Sequence, residues 1–107
     1  MRTLAPRAYG SFMSVSESEW QQRGFRVRGR VQGVGFRWWT HRKASSLGLC
    51  GTVGNRPDGT VEVHVAGDVQ TLEAFATELE AGPLMARVDG VEAFPSEESL
   101  PARFEIV

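Results

Sequence analysis

Hydrophobic and polar residues follow regular periods from Phe25 onward. Phe25, Val27 and Gly29 alternate with arginines, which predicts a strand with one buried face. After a glycine-rich stretch the period lengthens, and over Phe36–Leu47 the apolar residues recur as they do on one face of a helix. Gly48 follows at the position where a glycine commonly ends a helix. The pattern therefore predicts a strand, a loop and a helix in succession.

The rest of the chain adds a strand hairpin, a second helix and two further strands. The turn sequence Pro57-Asp58-Gly59 separates two stretches of strand character. Asp68 can cap the second helix, and Gly82-Pro83 ends it. The predicted elements are, in order, strand Phe25–Arg30, helix Phe36–Leu47, strands Leu49–Arg56 and Val61–Val65, a helix after Asp68, and strands Val88–Phe94 and Phe104–Val107.

This order is β-α-β-β-α-β with a short terminal strand. It is typical of the ferredoxin-like arrangement of the α+β class, also described as a split βαβ fold. We therefore expect a two-layer sandwich in which one antiparallel sheet carries two helices on one face. No internal repeat or low-complexity segment competes with this prediction.

Residues 1–22 have a different character from the rest. They contain no persistent hydrophobic period, several serines, and no acidic residue before Glu17. Arginine and serine with few acidic residues resemble a transit peptide, whereas a non-conforming tail, or a start at Met13, explains the same composition. We expect residues 1–22 to be a flexible extension outside the fold, and residues 23–107 to form the single folded domain.

Charge and cysteine content narrow the function classes. Twelve basic and 13 acidic residues give a net charge of −1, so the basic excess of a nucleic-acid-binding protein is missing. Cys50 is the only cysteine, which rules out an intrachain disulfide and fits a reducing compartment. No apolar run approaches the roughly 18 residues of a membrane helix. We expect a cytoplasmic monomer that binds neither nucleic acid nor a membrane.

The loop before the first helix carries the first candidate chemistry. It reads Gly29-Arg30-Val31-Gln32-Gly33-Val34-Gly35-Phe36-Arg37. A glycine-rich turn that opens a helix presents unpaired N–H groups and the positive end of the helix dipole, which together suit a phosphate. Arg37 falls in the first helical turn and could hold the same anion by two parallel hydrogen bonds. The glycine spacing fits neither a dinucleotide nor a Walker motif, and a purely structural turn is the alternative.

Asn55 is the second candidate, at the predicted end of the second strand. An asparagine next to a hairpin usually bonds to the local backbone, and that alternative applies here. Its amide is also neutral and contains both a donor and an acceptor. It could therefore hold a water molecule beside an anionic phosphate without repelling it.

Taken together, the segments VQGVGFR and GLCGTVGNRPDGTVEV resemble the acylphosphatase family. The resemblance extends over about residues 23–107 and includes the spacing between the two segments and the closing Phe104-Glu105-Ile106 strand. It implies a ferredoxin-like fold and hydrolysis of an acyl phosphate to a carboxylate and inorganic phosphate. It also implies that the enzyme uses no metal and no other cofactor.

The family's site residues can be carried over at matching positions. The arginine of the first segment binds phosphate in the family and matches Arg37, and the asparagine of the second segment positions water and matches Asn55. These two are the expected catalytic residues. The expected phosphate-binding residues are Gln32, Gly33, Val34, Gly35, Phe36 and Arg37. Arg56 stands where some relatives have an uncharged residue and would add positive charge near the site, while Trp38 and Trp39 are expected to pack or to line the cleft.

Two other function classes fit parts of the pattern. An RNA-recognition module has the same element order, but its third strand needs stacking aromatics, and Val61–Val65 contains no phenylalanine, tyrosine or tryptophan. A non-catalytic protein is the other alternative. It could be a module that binds phosphate or carbamoyl phosphate within a larger protein, although we expect no further domain after the last strand, or a phosphate-binding or scaffold protein without turnover. His41, His64 and Cys50 lack metal-ligand spacing, so no metal site is expected.

Overall fold

The computed structural model describes residues 20–107, which form seven regular elements. They are β1 (Trp20–Arg30), α1 (Phe36–Ser46), β2 (Cys50–Asn55), β3 (Val61–Asp68), α2 (Val69–Ala81), β4 (Arg87–Pro95) and β5 (Phe104–Ile106). Every element predicted from the sequence is present in the expected order. The ferredoxin-like fold is therefore confirmed.

The five strands form one sheet in the order β4-β1-β3-β2-β5. Neighbouring strands are antiparallel except at one edge, where β5 runs parallel to β2. The four strands of the β-α-β-β-α-β core are antiparallel as expected, and the short terminal strand β5 makes the sheet mixed. After β4 the chain crosses from one edge of the sheet to the other, and it enters the free edge of β2 in the direction of that strand.

Both helices pack on the same face of the sheet. Helix α1 lies over β2 and β5, and α2 lies over β1, β3 and β4. The alternation and helical periods predicted from the sequence place the core residues correctly. The buried side chains include Phe25 and Val27 of β1, Phe36, Thr40 and Ala44 of α1, Val61, Val63 and Val65 of β3, and Leu72, Phe75 and Leu79 of α2. In residues 20–107 no helix has the length and apolar character needed to cross a membrane.

Strand β1 begins before the boundary expected from the sequence. Trp20, Gln21 and Gln22 pair with the end of β3, and the Gln22 side chain donates to Ser96 Oγ at 3.0 Å and to the Glu98 carbonyl at 2.7 Å. These three residues are held by backbone pairing and polar side-chain bonds, which need no hydrophobic alternation. The sequence pattern therefore did not predict that they belong to the strand. The last three residues of the segment assigned to an extension thus belong to the sheet. Residues 1–19 lie outside the described part of the chain.

The register of the sheet brings the β1–α1 loop and the β2–β3 turn to the same end of the strands. Val61 at the start of β3 is the partner of both Val27 in β1 and Asn55 in β2. Because β1 is antiparallel to β3, its final residues run past Val61 toward the β2–β3 turn. The loop between β1 and α1 therefore begins beside the turn that follows Asn55.

Candidate active site

The loop from Val31 to Gly35 leaves a row of backbone donors open. Gly33 and Gly35 adopt positive φ angles of 75° and 80°, which residues other than glycine rarely adopt. Gly35 is the N-cap of α1 and provides no side chain to cap the helix. Among the described residues, the N–H groups of residues 32–38 have no hydrogen-bond partner. The arrangement is the open donor array that a phosphate requires.

Arg37 adds a free cation to this array. Its side chain is exposed and forms no ion pair or hydrogen bond with any residue between 20 and 107. The first turn of α1 also contains no acidic residue. The positive end of the helix dipole and the guanidinium are therefore not neutralised by a described protein group. Together they favour an anion from solution.

Asn55 does not make the side-chain hydrogen bonds that stabilise the β2–β3 turn. Asp58 makes the local bonds, since its Oδ1 accepts from the Thr60 N–H at 3.0 Å and from the Thr60 hydroxyl at 2.7 Å. The Thr60 hydroxyl and N–H that donate to this carboxylate lower the pKa of Asp58. The Asn55 side chain is exposed, and the described residues give its amide no hydrogen-bond partner. The side-chain bonds that stabilise the turn, which were the alternative role for Asn55, are therefore made by Asp58.

The Gln32 side chain connects the loop to this turn. Its Nε2 donates to the Arg56 carbonyl at 2.8 Å and to the Thr60 carbonyl at 2.9 Å. Both hydrogens of the amide are therefore used on the hairpin backbone. The sequence predicts Gln32 only as part of the phosphate loop and does not predict this connection. A glutamine in a short glycine-rich loop was the available signal, but nothing in the sequence identified its partners.

One cleft of about 220 Å³ joins the loop and the hairpin. It is lined by Val31, Gly33, Gly35, Phe36, Arg37, Trp38 and Asn55. Arg37 and Asn55, which are 18 positions apart in the sequence, thus share one cavity with three of the expected loop residues. Gln32 faces the hairpin instead, and Val34 packs against the core.

Arg56 does not add an uncompensated charge to the site. Its Nε lies 3.2 Å from Glu62 Oε1, and the other oxygen of Glu62 is 2.8 Å from His64 Nε2. The second nitrogen of His64 lies 2.6 Å from Ser96 Oγ. This network lies on the sheet face away from the helices. The expected positive charge of Arg56 is therefore balanced by Glu62.

The histidines and the cysteine do not assemble a metal site. Within the part of the chain that the structure describes, no three His, Cys, Asp or Glu residues come together. The His41 ring lies between the rings of Trp38 and Phe104, with centroid distances of 5.8 and 6.3 Å. Cys50 is a free, partly buried residue at the start of β2.

Comparison with known proteins gives a consistent result. The acylphosphatase family model matches residues 23–106. An acylphosphatase of Koribacter versatilis is 48% identical over 83 residues, which cover 78% of this chain and 74% of the relative. The crystal structure of an acylphosphatase from Bacillus subtilis superposes with a TM-score of 0.74 at 36% identity, covering 80% of this chain and 97% of that one. Full-length HypF, in its phosphate- and nucleotide-bound form, is similar over 82% of this chain but only 12% of its own, with a TM-score of 0.72 and 28% identity.

Proposed function

This chain belongs to the acylphosphatase family, and we propose that it hydrolyses the carboxyl–phosphate anhydride of an acyl phosphate. The products are a carboxylate and inorganic phosphate. The observation that carries this proposal is the cleft between the loop and the hairpin, where open backbone donors, the Arg37 guanidinium and the Asn55 amide meet. Polar groups without protein partners that converge on one small cavity are expected to have a ligand.

The loop and Arg37 bind the phosphoryl group in this proposal. The N–H groups from Gln32 to Arg37 donate to the phosphoryl oxygens, and the planar guanidinium of Arg37 donates two further parallel bonds. The same donors stabilise the charge that changes on these oxygens in the transition state. Because they are held by the glycine loop and the helix, little reorganisation is needed when the reaction occurs.

Asn55 orients the attacking water. The water oxygen forms a bond to phosphorus while the bond from phosphorus to the bridging oxygen breaks, and the electron pair leaves with the carboxylate. This leaving group needs no protonation at neutral pH, because carboxyl groups ionise near pH 4. The residues that line the cleft include no carboxylate or imidazole, so the water proton passes to a phosphoryl oxygen of the substrate. Catalysis then depends on positioning and charge stabilisation.

We also propose that the reaction needs neither a metal nor another cofactor, and that inorganic phosphate inhibits as the product. The donors expected at the phosphate are backbone N–H groups and a guanidinium, which do not coordinate metal ions. We propose that the protein acts as a cytoplasmic monomer and does not bind nucleic acid. The net charge of −1 and the pairing of Arg56 with Glu62 support the last point.

A second candidate function follows from the similarity to HypF. The matching region is a small part of that larger protein, so the same fold also occurs as one module of a longer chain. If this chain acts as such a module, its cleft binds phosphate or carbamoyl phosphate without turnover. The arrangement of Arg37 and the loop fits both functions, but only hydrolysis gives Asn55 a role.

The deciding experiment is an assay of benzoyl phosphate hydrolysis with excess EDTA, monitored by loss of substrate absorbance. We expect turnover in the presence of the chelator and inhibition by inorganic phosphate. Phosphate binding without any hydrolysis, measured by calorimetry, would favour the binding module. Activity that EDTA abolishes and one divalent ion restores would contradict the metal-independent mechanism.

A further inference from the structure

Trp38 is an exposed aromatic side chain directly beside the proposed phosphate ligands. It is 62% exposed, follows Arg37 in the sequence and lines the same cleft. The next residue, Trp39, packs against the hydrophobic core instead. A large indole that stays in water gains little of the free energy that burial would provide. Its position therefore points to contact with a ligand.

The Trp38 ring is held in place by a chain of aromatic contacts. The His41 ring meets it edge-on, with centroids 5.8 Å apart and an interplanar angle of 75°. His41 in turn packs against Phe104 at 6.3 Å, and Phe104 is part of the buried core. The exposed indole is thus supported from the core through His41. A preorganised aromatic surface loses less entropy on binding than a freely rotating side chain.

The chemistry of the cleft determines which part of a substrate reaches this surface. In an in-line displacement the leaving group departs on the side of phosphorus opposite to the attacking water. Asn55, the proposed water ligand, belongs to the hairpin, whereas Trp38 belongs to the first turn of α1. With the phosphoryl group on the loop, the acyl group extends away from the hairpin. Of the side chains that line the cleft, the Trp38 indole is the large apolar one that is exposed and therefore available to the acyl group.

We propose that Trp38 is the acyl-binding wall of the cleft, and that the preferred substrates are acyl phosphates with an aromatic or extended apolar acyl group. Acetyl and carbamoyl phosphate are too small to cover the ring and gain little from it. This inference rests on the proposed function, because it assumes that the cleft holds an acyl phosphate. A single aromatic contact of this kind corresponds to a preference of about 3- to 10-fold.

The test compares benzoyl phosphate with acetyl phosphate in the same assay. We expect Trp38→Ala to lower the ratio of the two kcat/KM values by about 3- to 10-fold, and Trp38→Phe to retain most of the parent's ratio. The ratio cancels changes that affect the shared phosphoryl chemistry. Trp20→Ala is the matched control, since Trp20 is 59% exposed but lies at the opposite end of β1, roughly 30 Å from the loop. Its ratio should equal that of the parent.

A binding measurement separates this inference from the proposed function. Phenylphosphonate should bind the parent protein more tightly than methylphosphonate, and Trp38→Ala should remove that difference while methylphosphonate affinity stays the same. An unchanged substrate ratio, or equal affinity of the parent for both phosphonates, would overturn the role of Trp38 and leave the hydrolase assignment intact. If the parent hydrolyses neither acyl phosphate, the proposed function fails, and the phosphonate affinities still decide whether Trp38 recognises an apolar group.

Discussion

The loop between β1 and α1 and the turn between β2 and β3 lie at the same end of the sheet, but they differ in how their backbone N–H groups are bonded. In the β2–β3 turn, the Arg56 N–H donates to the Thr60 carbonyl at 2.8 Å, the Gly59 N–H donates to the Arg56 carbonyl at 3.0 Å, and Asp58 binds Thr60. In the loop before α1, the N–H groups of residues 32–38 bond to none of the described residues. The turn therefore pairs the N–H groups of Arg56, Gly59 and Thr60 within itself, whereas the loop leaves its N–H groups open to a ligand.

The difference does not lie in backbone conformation. Gly59 in the turn and Gly33 in the loop both have positive φ, at 93° and 75°. Glycine content and unusual dihedrals therefore do not distinguish a structural turn from a binding loop. The pairing of the donors does, because a hydrogen-bonding group without a protein partner is available to bind a ligand. By this criterion Asn55 belongs functionally with the loop, although it lies next to the turn.

The largest expected effect is the loss of the loop's cation. Arg37→Ala should lower kcat/KM by about 10³-fold or more, since an arginine that stabilises phosphoryl charge contributes on that order. Inhibition by inorganic phosphate should weaken as well, because the guanidinium binds the ground state too. Arg37→Lys should recover only part of the activity, because an ammonium group lacks the planar fork. Phosphate inhibition equal to that of the parent would remove Arg37 as the phosphate ligand.

Asn55→Ala tests whether the open group of the hairpin acts in chemistry. We expect kcat to fall by about 10²–10³-fold, as when one preorganised polar contact is removed. Phosphate inhibition should change little, since the loop and Arg37 are intact. The unfolding midpoint of the same variant provides the control. A protein that is less stable but fully active would show that Asn55 only shapes the hairpin.

Gln32→Ala breaks the connection between the two regions. Loss of both Nε2 bonds should let the loop shift relative to Asn55, and a displacement near 1 Å can cost up to about 10²-fold in kcat. The phosphate inhibition constant should change much less than kcat, which a general loss of folding would not produce. Gln21→Ala is the matched control, because within residues 20–107 the hydrogen bonds of the Gln21 side chain come from Arg23, and Gln21 lies at the other end of β1. Equal kcat values for Gln32→Ala and the parent would exclude a positioning role.

The smallest expected effect is that of Asp58→Asn in the β2–β3 turn, and it is an effect on stability. The lowered pKa of Asp58 means that its ionised form favours the folded state. This contribution is present above the ordinary pKa of 3.8 and disappears as the pH falls through the lower pKa of the folded protein. Asp58→Asn should therefore differ most in stability from the parent above about pH 4 and approach it in stronger acid. Unfolding measured across this range tests the sign, and kcat at neutral pH should not change.

The predictions that succeeded were those with a local cause. Alternation placed Phe25 and Val27 in the core, and helical spacing placed Phe36 and Ala44 there, because burial of one face imposes the period of each element. The details that the sequence did not predict depended on remote contacts. Trp20–Gln22 joined β1 through backbone pairing with the end of β3, and β5 became a parallel strand through the path that the chain takes across the sheet.

By itself, the sequence determined the order of the elements, the core faces, and the placement of Arg37 in the first helical turn and Asn55 at a strand end. Each of these follows from residue types within a few positions of one another. Only the tertiary structure decided that Arg37 and Asn55 share a cleft, that Gln32 holds the loop to the hairpin, and that Glu62 balances Arg56. The reason is that a hydrogen bond or ion pair depends on which distant group lies within about 3 Å, and the pairing of β3 with both β1 and β2 sets that distance.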